Sequence, residues 1–410
     1  MKIHWSKASL AFLFIVALIG TLLRSTFLIT IPFEYQNLIH AHSHVAFQGW
    51  IYTLMMLLLT EFFLKKNQIS KGRYPLQFKL TIVVIIGVLV SFSLQGYGLY
   101  SITVSTMFQF LNYWFVYSFL RDTKLVHEDS ANPVSLLFVK TGLWLGLLST
   151  LLPVGIGVLS AKGLSGTEIY NSFIYTFLHL QYNGWFLFVA LGFFYKFLES
   201  NNVRYNRKNA FKFYLLFTVA VIPAIALSFM GLSFSNYVLL PAYIAAGLQW
   251  LGLLYFLKSF TGKLNTLLIQ KSKWIRMYLL VFLISFYLKV ALQCLSAFPG
   301  FKEFSFHNKS VIIAYLHLSL IGVISFLFLG MMIELKWLKI NRLSIAGSVL
   351  LISGFLITES LLVLNGLALY FEPVALSIWS FVMVLGILCL MLSKSELAGP
   401  YAQAAHPIEE

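Results

Sequence analysis

Charge is what this sequence has least of. Only 10 % of its 410 residues are Asp, Glu, Lys or Arg, and just 14 are acidic. An ordinary soluble domain is about 25 % charged and about 45–50 % apolar. Here the apolar share is 59 %. That balance excludes a disordered chain, a coiled coil and most soluble enzymes. Cysteine is nearly absent too. The two present, Cys294 and Cys389, fall in apolar runs near opposite membrane faces. This excludes a disulfide scaffold and a cysteine metal site, and no Cys-x-x-Cys-His heme-attachment motif occurs. Proline is sparse, with 10 residues, and interrupts apolar runs at Pro153 and Pro223.

What remains is an all-α polytopic membrane protein. A spanning helix needs about 20 mainly apolar residues. Twelve such runs lie near 8–30, 38–63, 77–99, 102–121, 134–160, 170–198, 210–230, 235–258, 274–297, 309–333, 343–366 and 371–393. The first follows a basic start but has no small-x-small cleavage site, and it reads as a retained helix rather than a signal peptide. With the N-terminus inside, 23 of the 29 Lys and Arg fall in cytoplasmic segments and only Lys162, Lys302 and Lys309 in outer loops. The positive-inside rule then predicts both termini in the cytoplasm. It also accounts for the net charge of +15 without nucleic acid as a partner. A bacterial inner membrane suits this pattern. One transmembrane domain takes the whole chain, with a short polar tail over 394–410.

The nine histidines divide by position. His4, His127, His307 and His406 fall in tails or loops, where a solvated side chain needs no special role. The second span contains His40, His42 and His44, followed by Gly49 and Trp50. The sixth contains His179, Gly184 and Trp185, and the tenth His317 and Gly322. In each span a His precedes a Gly by five residues. His44, His179 and His317 are 135 and 138 residues apart, four spans in each interval. A recurrence at fixed period points to repeated units. The predicted architecture is therefore three pseudo-repeats of four helices, about 1–133, 134–273 and 274–393. Each His lies about two turns from its outer end, so the three sit at similar depth. Residues four apart share a helix face, which puts Gln48 below His44 and Asn183 below His179, with Ile321 in the third copy. The glycines read as helix-packing points.

Ionisable groups inside a membrane are costly and are functional candidates by default. His40 and His44, at i and i+4, are candidate ligands of one metal. Arg24, near the outer end of the first span, is a candidate partner for a heme propionate, or snorkels to the interface. Lys140, Lys289 and Glu359 also lie in spans, and Lys289 and Glu359, both toward the outer half, are at a depth where they could pair.

Twelve spans in three arcs, with His on the second, sixth and tenth, resemble subunit I of heme-copper oxidases and the large subunit of nitric oxide reductases. His42-Ser43-His44 with Gly49-Trp50 is similar to the His-x-His…Gly-Trp segment of helix ten in C-type oxidases, though here it stands on the second span. The resemblance implies that a second-span His, at the position of His44 or His42, binds a low-spin heme b together with His317. It implies copper at His179. The family's His pair on the seventh span is missing from 210–230. Tyr315 stands where the high-spin heme ligand would be. Asn183 takes the place of the helix-six Tyr, and Tyr182 is one position short. The implied low-spin site is complete and the dioxygen-reducing site is not.

The expectation is an oxidoreductase-like electron carrier or sensor. A cytochrome or quinone donor and additional subunits would be its partners, beside the lipid bilayer. His40-Ala41-His42 also resembles a segment of the NnrS membrane proteins, linked to heme, copper and nitric oxide stress. Two other classes stay open. One is a twelve-helix secondary transporter with structural His. The other is a copper or heme handling protein with His40, His42 and His44 as an outer entry site.

Overall fold

The computed structural model describes residues 2–126, 133–260, 271–306 and 308–393. His127, His307, His406, Lys263, Lys394 and the tail 394–410 lie outside the described residues. The described residues contain helices, turns and coil, with no strand. The long helices are α1 Lys2–Arg24, α2 Tyr35–Phe63, α3 Tyr74–Gln95, α4 Leu99–Val126, α5 Val134–Ala161 and α6 Glu168–Ser200. They continue with α7, made of Arg207–Ala220 and Pro223–Phe229, then α8 Ser235–Lys258, α9 Lys273–Leu295, α10 Lys309–Glu334, α11 Arg342–Gly366 and α12 Pro373–Leu392.

Among the described residues, ten of these are long and apolar enough to cross a membrane, and α7 is an eleventh if its two pieces form one span. The chain is therefore an integral membrane protein. The fourth run of the sequence is helical as α4, but Ser101, Thr103, Thr106, Gln109 and Asn112 dilute its hydropathy. The two prolines mark breaks. Proline lacks an N–H and clashes with the preceding turn. Pro153 follows a turn at Thr150–Leu151 inside α5, and Pro223 sits at a 52° bend in α7. Several helices start on a polar cap. Asn206, Ser272, Asn308 and Asn341 each accept a bond from a backbone N–H of the first turn.

The three helices that carry the His…Gly recurrence are the most enclosed. The apolar windows of α2, α6 and α10 are 78, 83 and 56 % buried, against 50 % for α9, the next. A helix that is apolar all round belongs in the interior. Leu54–Leu59, Leu187–Phe194 and Phe326–Met332 are such stretches, buried on every face. They meet near the centre of the bundle. Trp50 Nε1 donates to Ser325 Oγ at 2.7 Å, tying α2 to α10.

Each of these helices also widens into a π segment of eight residues, at Val45–Tyr52, His179–Phe186 and Leu318–Ser325. The π form is rare and gathers at functional sites. Each segment starts at the signature His or directly after it, and each holds the signature Gly. A Cβ on Gly49 would lie 3.1 Å from Phe12 of α1; on Gly184, 3.3 Å from Leu145 of α5; on Gly322, 2.9 Å from the Ser285 Cβ of α9. The bare backbone lets each π segment approach the helix just before it in the chain.

Candidate functional site

Two polar centres flank α10, one half-buried and one buried. Tyr315 and His317 are two residues apart, about 200° around an α-helix, so their side chains enter opposite sides of it.

On the first side, Arg24 turns inward rather than snorkelling. It donates to Ser380 Oγ at 2.6 Å, and its other terminal nitrogen lies 3.3 Å from His317 Nδ1. Ser377 Oγ donates to the Arg24 carbonyl at 2.9 Å. Glu359 Oε1 of α11 lies 3.2 Å from the same His317 Nδ1. The His317 and Glu359 side chains retain 24 % and 15 % of their accessible surface. His42 Nδ1 lies 3.0 Å from the Val16 carbonyl of α1. A carbonyl only accepts, so Nδ1 carries the proton and Nε2 holds a lone pair. Gly20 makes room for the ring, since a Cβ there would come within 2.9 Å of His42 Cε1. His42 is within Coulombic range of His317 and Arg24. Neither Nε2 has a hydrogen-bond partner among the described residues.

On the second side, His179 has both nitrogens engaged. Nε2 donates to the Val221 carbonyl at 3.0 Å, beside the bend of α7. Nδ1 accepts from Asn183 Nδ2 at 3.2 Å. Asn183 Oδ1 accepts from Lys289 Nζ. Lys289 also donates to Gln293 Oε1 at 2.9 Å and to the Tyr315 hydroxyl at 3.2 Å. Tyr315 in turn donates to Gln293 Oε1 at 3.0 Å. Lys289 and Glu359 are therefore not partners. Helix α10 stands between them, and depth alone carries no information on which side each lies.

His44 belongs to neither centre. Its ring stacks on Phe92 of α3, centroids 4.1 Å apart. Nε2 is 3.2 Å from the Tyr97 hydroxyl, and Nδ1 accepts from Gln48 at 3.4 Å. His40 meets the same Tyr97 edge-on at 4.6 Å. The i, i+4 pair thus shares a face, and an aromatic residue fills the space beside it. Among the described residues, no group of three or more His, Cys, Asp or Glu is arranged to hold a metal ion. At His179, the position of the expected copper, both imidazole nitrogens are hydrogen-bonded to protein groups.

In the first centre His42 and His317 each have Nδ1 beside a protein group and Nε2 without a hydrogen-bond partner among the described residues. Two imidazoles with Nδ1 held by the protein and Nε2 open form the arrangement that second-shell partners impose on metal-binding His. The reading of the sequence missed Glu359 as a partner of His317, and Ser380, Gln249 and Gln293 as buried polar groups. In-span amides and carboxylates were the available signal. Compared with protein-family models and with curated proteins, the chain matches none.

Proposed function

We propose that this chain is a heme-binding redox protein of twelve spans in three arcs of four, both termini cytoplasmic, in a bacterial inner membrane. It is a divergent relative of the heme-copper oxidases in which only the low-spin position is kept. His42 and His317 are the axial ligands of a heme b. The observation that carries this reading is the pair of open Nε2 atoms on neighbouring helices, each with its Nδ1 anchored. When bound, such a heme transfers single electrons, because two imidazoles fill its axial positions.

The protein groups have separate tasks. The Val16 carbonyl fixes the tautomer of His42. Glu359 is taken as the acceptor of a proton on His317 Nδ1, so Arg24, which only donates, is a close neighbour of that nitrogen and not a second hydrogen bond to it. Nε2 is then the ligating atom and the imidazole is more basic. Arg24 balances the charge of Glu359 and is held by Ser380. The recurrence of the π segments, each against the preceding helix, supports the three-arc arrangement. A cytochrome or a quinol is the proposed electron donor, with additional subunits as its docking site. Copper at His179 is not part of the proposal.

The test is spectroscopic. The chain, produced with ample heme supply and purified in detergent, is expected to show a sharp reduced α-band and extractable heme b. His42→Ala and His317→Ala lose both while remaining folded. Wild-type protein without heme sinks the reading.

A further inference from the structure

From Ser200 to Lys302 the sequence has no Asp or Glu. The same stretch holds Arg204, Arg207, Lys208 and Lys212 around the start of α7 and Lys258 at the end of α8. Glu199, the last carboxylate before it, is occupied by Ser135 Oγ at 2.5 Å and the Tyr205 hydroxyl at 2.8 Å. Lys212 and Lys258 have no carboxylate within ion-pair distance among the described residues.

The fold brings these two cations onto one ring. Lys212 Nζ of α7 lies 5.0 Å from the centre of Tyr255 of α8, and Lys258 Nζ lies 5.8 Å from it. Both lysines are exposed and the tyrosine is half-buried. Lys208, also exposed, stands one turn before Lys212 on the same face. The seam that holds them is fixed by the backbone. The Asn206 N–H donates to the Ser259 carbonyl at 2.9 Å, and Asn209 Nδ2 to the Lys258 carbonyl at 3.2 Å. One turn before Tyr255, a Cβ on Gly252 would lie 2.6 Å from Phe217 and 3.5 Å from the Leu216 Cβ, so the two helices touch there.

Two ammonium groups on one ring repel each other, and a cation–π contact at an exposed site is weak. One anion between them removes the repulsion and meets both charges. Where the pair sits decides which anion. A tyrosine near the end of a spanning helix marks the headgroup level. From there Leu215 and Val219 of α7 and Leu251 and Leu254 of α8 run into the span, each 43–54 % exposed. An anion that carries acyl chains is held both by the lysines and by this strip, whereas free phosphate meets the lysines alone. Basic pockets between spanning helices suit lipid headgroups for this reason. We propose that the seam between the start of α7 and the end of α8 binds an anionic phospholipid. Its phosphate sits between Lys212 and Lys258, with Lys208 one turn away, and its chains lie on the apolar strip. Such binding needs no heme.

The test uses the full-length protein, stripped of lipid in a non-ionic detergent. Thermal stability is followed as dioleoylphosphatidylglycerol, dioleoylphosphatidylcholine or sodium phosphate is added at constant ionic strength. Wild type is expected to show a saturable rise in Tm with phosphatidylglycerol and none with phosphatidylcholine or phosphate. Lys212→Gln with Lys258→Gln raises the lipid concentration at half-effect by roughly 20–30-fold, the contribution of two lysines facing an anionic headgroup. Lys212→Arg with Lys258→Arg keeps the wild-type response. Lys65→Gln with Lys66→Gln removes the same charge from the same membrane face and also keeps it. An equal response to the two lipids, or no response to either, overturns the site. So does an unchanged half-effect in the Lys212 and Lys258 glutamine variant. An equal loss in the Lys65 and Lys66 variant overturns it in favour of general surface charge. A rise in Tm with phosphate that matches phosphatidylglycerol overturns the lipid as occupant and leaves a free-anion site.

Discussion

The two sides of α10 carry polar centres of opposite character. Around His317 the protein holds one ring nitrogen and leaves the other open. Around His179 it engages both. The same five-residue spacing to a glycine precedes both outcomes. An imidazole with both nitrogens hydrogen-bonded has no lone pair to offer, whereas one anchored at Nδ1 alone keeps Nε2 available, as a metal-binding His does. The histidines of α2 repeat the contrast one helix away. His42 is held only at Nδ1 by Val16, and His44 is spent on Gln48, Tyr97 and Phe92.

The largest effect separates the two sides directly. His317→Ala is expected to remove essentially all heme, while His179→Leu and His44→Ala retain it, as judged by the reduced α-band per protein. His179→Leu instead leaves the Val221 carbonyl and the Asn183 amide without a partner, a cost of about 1–3 kcal/mol in stability. Its signature is a lower Tm at unchanged heme content. Heme loss in His179→Leu but not in His317→Ala would reverse the assignment of the two centres.

Glu359 comes next. Removing a partner that orients a ligand typically lowers affinity by about 10–100-fold, and Glu359→Ala is expected to weaken heme retention by that factor. Glu359→Gln keeps an oxygen acceptor and so retains more heme. Loss of the carboxylate makes His317 less basic and raises the midpoint potential. A merely structural Glu359 would lower Tm and leave the potential where it was.

The glycines of the π segments give a smaller contrast. A methyl at Gly322 meets Ser285 and Phe355 within 3.0 Å, but at Gly184 it meets Leu145 only at 3.3 Å. Gly322→Ala is expected to cost about 1–3 kcal/mol through overpacking. Gly184→Ala falls near zero, since a helix gain of roughly 1 kcal/mol offsets the contact. Comparing the two by thermal unfolding in the same detergent tests whether the three copies pack equally. The smallest expected effect is at the link between copies. Trp50→Phe removes the bond to Ser325, which is worth about 1 kcal/mol.

Much of the frame was legible in the chain. Apolar runs of sufficient length give helices because lipid leaves backbone groups no other partner. Pro153 and Pro223 stand at breaks that follow from a missing N–H and a ring clash. The amide four residues below a His was readable from helical spacing, and Gln48 and Asn183 do reach His44 and His179. The division of labour among the histidines was not readable. His42 and His44 differ by two positions, and only the neighbour each one meets distinguishes them. Depth left a pairing of Lys289 with Glu359 open. The pairing failed because depth does not tell one side of α10 from the other.

The sequence by itself determined a membrane-embedded helical bundle and the recurring His and Gly on α2, α6 and α10. Those follow from hydropathy and from periodicity along one helix, which are local. Only the tertiary structure decided which imidazoles stay open. That choice rests on contacts between residues far apart in the chain, Arg24 with His317 across 293 positions and with Ser380 across 356. Such contacts depend on how helices cross and on where a π segment shifts a face. No spacing within a single helix records either one.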